Sequence, residues 1–467
     1  MEKTDQQNHT LKDSAAIRWL VLIIISLLFF ATYWFQDVFS PLADLMDSEL
    51  GIKPDQFGMV ISATTWANCL GMILVGGFIL DKWGIRISGF LFGLLVTAGG
   101  VLTTLGASDV IVTDPSKKLI VMAAGRIVFG IGLEITCVIV SRTVVKWFKG
   151  KEMALAMAIN VGFGRLGSFF AVSFSRDIAG DSVMQGLGFA ASMIGAAFIL
   201  LLVYFIFDKK LDNQIKVEEE VDEEEKFHIT DFTKLVHNPT FIWIALLCVT
   251  YYSAVFPFIG AYGPSILHHN FGFSMKLPEG FASLSFMEQA RIYLTNGPKI
   301  AGLIPLGSIA FTPIFGSVVD RKGRAASMML IGSILLIFSH ITLAFSSSRA
   351  LAYPALFSLG VAFSLVPAAM WPSVAKIVSE NRLGTAYASM FTVQNWGLAL
   401  FYWLPGFLVT LTNGEDTGAQ ASRDYTWGTV PFILLGFISI FLAVMLLKSN
   451  SKHDLKLEVP FRDEPTG

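Results

Sequence analysis

About twelve apolar runs recur along this chain, each near the ~20 residues that span the hydrocarbon core of a bilayer. They lie at approximately 18–45, 56–80, 86–106, 118–145, 152–176, 186–207, 241–267, 299–319, 326–346, 350–376, 385–411 and 428–447. Backbone amides cannot stay unpaired in lipid, so runs of this length must be helices. The expected fold class is therefore an all-α polytopic membrane protein. Composition agrees, with 15% charged residues against about 25% in a soluble domain. Acids and bases nearly cancel, at −2 overall, so nothing in the charge points to nucleic acid as a partner.

The first residues, MEKTDQQNHTLKDSAAIR, are polar, and the run after them is too long for a signal-peptide core, so no cleavable signal is expected. The sequence divides into an N-terminal tail (1–17), a six-helix bundle (18–208), a charged linker (209–238), a second six-helix bundle (239–448) and a C-terminal tail (449–467). The linker contains EEEVDEEE at 218–225, which cannot bury itself and should be solvated. Lys and Arg concentrate in the loops after the second, fourth, eighth and tenth runs and in the linker. That bias places both tails and the linker in the cytoplasm. Cys69, Cys137 and Cys248 all lie in apolar runs without metal-ligand spacing, so they read as small buried residues.

An internal repeat supports two related halves. GFILDKWGIR (77–86) and GSVVDRKGR (316–324) both fit G-x-x-x-D-x-x-G, and each follows the second span of its half. GKEMALAMAINVGFGRLG (150–167) and GTAYASMFTVQNWGLAL (384–400) each open a fifth span with Gly and small residues. Twelve transmembrane helices in two pseudo-symmetric sets of six are typical of transporters.

The doubled loop motif, the paired halves and the charged linker resemble the major facilitator superfamily over nearly the whole chain. Within it, GRIVFGIGLE (125–134), KWFKGKE (146–152), GRLGS (164–168), VFPFIG (255–260) and RLGTAYASMFTVQNWGLA (382–399) resemble the lysosomal dipeptide uniporter branch. The resemblance implies transport of dipeptides without an ion gradient and, in animals, a glycosylated accessory subunit. It also implies that Glu134 and Arg165 hold the two charged ends of the dipeptide.

The residues agree with that assignment on physical grounds. Glu134 lies near the centre of the fourth span and Arg165 near the centre of the fifth. A charge at that depth costs about 2.5–3.5 kcal/mol on insertion scales, so each must face a wet cavity or a partner. A zwitterionic dipeptide separates its ammonium and carboxylate by roughly 6–8 Å at extended-chain spacing. The planar fork of Arg suits a carboxylate, and Glu suits an ammonium. The competing reading is a structural salt bridge between the two. Asp37, Tyr251, Tyr252, Trp371, Gln394 and Asn395 are further candidates for the cavity wall, each also explicable as helix–helix glue. Pro257, Gly260, Gly263 and Pro264 should break the seventh helix near Tyr251 and Tyr252, and Pro367 and Pro372 should do likewise around Trp371. Arg126 and Arg142 lie towards the ends of the fourth span and are expected to snorkel.

In the loop motifs, Gly77 and Gly316 permit close helix approach, while Asp81 with Arg86 and Asp320 with Arg324 can latch the cytoplasmic side shut, as the resemblance implies. No G-x-x-x-x-G-K-[ST], H-E-x-x-H or G-x-S-x-G motif occurs, so neither ATP, a metal nor a hydrolytic nucleophile is expected, and the chain is not read as an enzyme. The leading function is an alternating-access dipeptide uniporter embedded in a lipid bilayer. The alternatives are a proton-coupled carrier of small organic anions and a non-transporting receptor or scaffold. Without an acidic dileucine signal or a sequon in an outward loop, the expected location is a cell membrane rather than a lysosomal one.

Overall fold

The computed structural model describes residues 10–214, 235–379, 382–414, 422–453 and 455–460. The acidic run at 218–225 and most of the expected linker lie outside these residues. The long helices are α1 (Ala15–Asp37), α2 (Pro54–Cys69), α3 (Met72–Gly106), α4 (Pro115–Phe148), α5 (Met153–Ala179) and α6 (Val183–Gln214). They continue with α7 (Pro239–Pro257), α8 (Gly297–Lys322), α9 (Ala325–Phe345), α10 (Arg349–Ile377), α11 (Leu383–Asn413) and α12 (Thr426–His453). Among the described residues, ten helices are long and apolar enough to cross a membrane.

Local sequence sets several helix ends and corrects three expectations. Asp114, Asn238 and Asn296 cap α4, α7 and α8 by accepting backbone N–H groups of the first turn. The run expected at 56–80 is divided at Gly71, whose φ of 83° is left-handed and stops the helix. The second part continues into α3 through a kink at Gly84, so the first loop motif is a bend within one long helix. The seventh helix does not break at its prolines and glycines. It widens into a π turn over Phe258–Tyr262 and resumes as Gly263–Phe271. Helix α10 likewise runs unbroken through Pro354, Pro367 and Pro372.

Helices α1–α6 pack mainly on one another: α3 and α2 against α4, and α1 against α5 and α6. Helices α7–α12 do the same, with α9 on α10 and α12, α8 on α10, and α7 on α11 and α12. Two seams join the sets, α2 with α11 and α5 with α8. Asp47, after α1, pairs with Arg423, just before α12. The start of α1 and the end of α12 therefore share the opposite face, called here the terminus face.

The face away from the termini is closed. Asp47 and Arg423 are only 3% and 4% exposed there. Beside them His269 contacts Asp44 at 3.3 Å, and Thr410 donates to Asp55 at 3.1 Å. Across the α5–α8 seam, Lys299 pairs with Asp177, donates to the Ser173 carbonyl at 2.7 Å and sits 4.0 Å above the Phe174 ring. Lys276, in the α7–α8 connection, pairs with Asp181. Among the described residues, every ion pair between the two sets lies on this closed face.

Candidate binding cavity

A cavity of about 220 Å³ lies between the two sets of helices. Helical spacing turns Tyr33, Gln36 and Asp37 of α1 to one side, and all three line it. Helix α2 adds Thr64 and Thr65, α4 adds Glu134, and α5 adds Arg165 and Ser168. The close α2–α4 contact that positions Thr64 depends on Gly130. A Cβ there would lie 1.8 Å from the Thr64 carbonyl oxygen, and Asn68 donates to the Gly130 carbonyl at 3.2 Å. The opposite wall is aromatic and amide-bearing, with Tyr252 and Phe256 from α7, Phe363 and Trp371 from α10, and Asn395 and Tyr402 from α11.

Every charged side chain lining the cavity belongs to α1–α6: Asp37, Glu134 and Arg165. Glu134 and Arg165 face the cavity without an ion pair between them, and neither has an ion-pair partner among the described residues. The structural salt bridge is therefore not formed in this conformation. The Arg165 guanidinium lies 4.2 Å from the Phe363 ring centre, a cation–π contact across the cavity, and the Asn395 side chain lies against Glu134. Asp37 is buried beside Ser168, and the backbone of Gly260 packs against it closely enough that a Cβ would be 2.8 Å from its carboxylate.

The other anticipated wall residues divide. Tyr252 accepts a hydrogen bond from the Trp371 indole at 2.9 Å, and Gln394 and Asn395 line the cavity. Tyr251 does not; it is fully buried, edge-on to Tyr252. Sequence reasoning passed over Tyr33, Gln36, Ser168 and Tyr402. The three-residue step from Arg165 to Ser168 and the spacing of Tyr33, Gln36 and Asp37 were the available signals. Arg126 departs from its expected snorkelling position. It lies about three turns inside α4, fully buried, donates to Gln36 at 3.0 Å and stacks between Phe39 and Phe129. It thus fixes a cavity residue from behind.

The loop motifs are paired differently from the expectation. Asp81 binds Arg142 of α4 at 2.5 Å rather than Arg86. Arg86 reaches Asp208 at 3.1 Å and also Asp212, and Lys146 joins the same two carboxylates at 2.8 and 2.6 Å. Arg142 is therefore an ion-pair partner rather than a snorkelling end. The kink at Gly84 turns Arg86 towards α6, which explains the exchange. In the second copy, Asp320 and Arg324 are exposed and form no ion pair with each other or with another described residue. Gly77 and Gly316 face open space, with no close helix neighbour in this conformation.

Among the described residues, the metal-ligand types Asp44, His268 and His269 gather within 4.8 Å on the closed face. Both ring nitrogens of His269 are engaged, Nδ1 by the Arg423 N–H at 3.2 Å and Nε2 by Asp44. His268 Nδ1 meets the Phe273 carbonyl at 2.6 Å. The cluster works as part of the closure.

The Major Facilitator Superfamily family model matches residues 25–290 and 294–467. The lysosomal dipeptide transporter MFSD1 of Danio rerio is 31% identical over 396 residues, covering 82% of this chain and 78% of that protein. The oxalate:formate antiporter of Oxalobacter formigenes is 24% identical over 416 residues, 84% of each chain. Among solved structures, a bacterial homologue of the human lysosomal transporter Spinster, inward-facing and occupied, has a TM-score of 0.68 at 14% identity, covering 95% of this chain and 99% of that one. These relatives correct the expected cell membrane, because MFSD1 is lysosomal by name. A missing sorting signal or sequon is only an absence, and targeting does not follow from the bilayer physics that fixes the helices. A match over almost all of the chain, on a helical fold closed at one face around a charged cavity, makes this protein a member of the major facilitator superfamily, a non-enzymatic alternating-access carrier.

Proposed function

We propose that this carrier is a dipeptide uniporter of the lysosomal membrane, built as twelve spans in two six-helix halves (18–208 and 239–448) with both tails cytosolic. The observation that supports it is the pair Glu134 and Arg165, opposite in charge, lining one cavity and not paired with each other. Glu134 binds the ammonium of the peptide and Arg165 its carboxylate. The uncharged wall of α7, α10 and α11 receives the side chains. In this conformation the site is shut from the far face, and rocking of the halves exposes it there.

The test is uptake into proteoliposomes with free, N-acetylated and C-amidated dipeptides. Acetylation should weaken binding to the native protein, and Glu134→Gln should narrow that disadvantage. Amidation should behave the same way with Arg165→Lys. Each lost charge-assisted bond is worth roughly 1.5–3 kcal/mol, about tenfold to more than a hundredfold in affinity. Equal binding of capped and free peptides would defeat the assignment. A second reading is supported by the oxalate:formate antiporter relative: Arg165 binds a small organic anion while Glu134 carries a proton. It requires uptake above the external concentration when a pH gradient is imposed, whereas the uniporter only equilibrates.

A further inference from the structure

The two copies of the loop motif are held in different ways. The first is tied by side chains of its own set, Asp81 to Arg142 and Arg86 to Asp208. The second leaves Asp320 and Arg324 exposed, and its backbone is held instead by the C-terminal tail. The Arg324 N–H donates to the Glu458 carbonyl at 3.2 Å, and that of Ala325 to the Leu457 carbonyl at 3.0 Å. The Glu458 carboxylate accepts from the Ser327 N–H at 2.9 Å and from its hydroxyl at 2.6 Å. The three N–H groups are orphan donors of the first turn of α9, whose N-cap residue, Arg324, supplies no capping side chain. A tail carboxylate more than a hundred residues away does the capping. Lys376, near the end of α10, donates to the tail carbonyls of Lys456 and Val459 at 3.0 and 2.9 Å. Leu457 is fully buried.

The strapped segment is also strained. Arg324 has φ 64°, left-handed and uncommon for a residue with a long side chain, and Gly323 before it has φ 68° with the tail backbone packed on it. Non-glycine residues persist in that region where surrounding contacts hold them. Here those contacts come from the tail.

We infer that residues 455–459 form an intrachain brake, a strap that holds the second loop motif in its unpaired form and so biases the carrier towards the conformation closed at the far face. Releasing the strap frees Arg324 to leave the left-handed region and lets Asp320 and Arg324 seek partners as the terminus face closes. The strap acts whatever the substrate, so its effect is read as a change of conformation.

The test uses the full chain with its three cysteines replaced and carrying Ser327→Cys and Glu458→Cys, joined by a short reducible bifunctional thiol reagent. Amide hydrogen exchange is followed at the closed face, over residues 262–271 and 422–425. With the strap joined, exchange there should slow at least about fivefold, the low end of a typical coupling between sites, and return on reduction. Truncation after His453 should accelerate it. If joining the strap leaves exchange at the far face unchanged, or truncation raises exchange only at residues 323–327, the tail is a structural staple and the brake is refuted.

Discussion

Asp47→Asn removes one partner of the ion pair that closes the far face. The Arg423 guanidinium is 4% exposed and Asp47 3%, so the substitution takes the Asp47 counter-charge away from a buried cation. Lys53 lies 3.5 Å from the same carboxylate, which leaves a second cation in the neighbourhood. Breaking one side of a buried pair costs about 3–5 kcal/mol. When that face opens, both groups regain water, so the cost falls on the closed state alone. The equilibrium should then shift by at least about a hundredfold towards opening. The assay is reaction of a cavity cysteine, Thr65→Cys in a background without native cysteines, with an impermeant thiol reagent applied to the far face. Labelling should quicken strongly and uptake should fall. Removing both charges, with Asp47→Asn and Arg423→Gln together, should restore labelling to within a few fold, because an absent buried pair is far less costly than half of one. Native labelling in the single variant, with an unaltered melting temperature, would refute the argument.

Other perturbations separate packing, wall and surface effects. Gly130→Ala forces a methyl group into the Thr64 backbone, and should cost about 1–3 kcal/mol of stability by overpacking and lower uptake with it; calorimetry beside flux measures both. Trp371→Phe leaves the Tyr252 hydroxyl without its donor, and should change side-chain preference among dipeptides while the penalty for capping either end stays as in the native protein. The Lys276 ammonium holds the exposed Asp181 carboxylate below its ordinary value. A depressed acid contributes above its unfolded value of about 3.9 and loses that contribution as pH falls through its lower folded value. Limited proteolysis of the 272–296 loop should therefore be the same at pH 7 and pH 5 and increase only in stronger acid.

Helices were legible because length and apolarity act locally, residue by residue. The break at Gly71 was not, since a lone glycine inside an apolar run is compatible with a continuous helix until its backbone turns left-handed. Prolines misled for the complementary reason: α10 keeps its course through Pro367 and Pro372 where sequence alone argued for interruption. Glu134 and Arg165 stood out because charge at mid-membrane depth is costly, and both line the cavity. Partner choice was not readable. Asp81 and Arg86 are neighbours in sequence, yet the kink sends them to different helices, and nothing near residue 324 in the sequence announced that Glu458 would cap α9.

Placing every lining charge on α1–α6 has a consequence for how such a carrier can diversify. On the proposed reading, Coulomb attraction anchors the ligand to one moving body, and the other body meets it through rings and amides. Substitutions at Phe256 or Trp371 can therefore reshape the range of accepted cargo in small steps while the proposed contacts to the charged ends stay in place, whereas Phe363 also carries the ring against Arg165. If the charged side grips a peptide's ends as proposed, a lineage can change its cargo by drifting on one wall while that grip is inherited intact on the other.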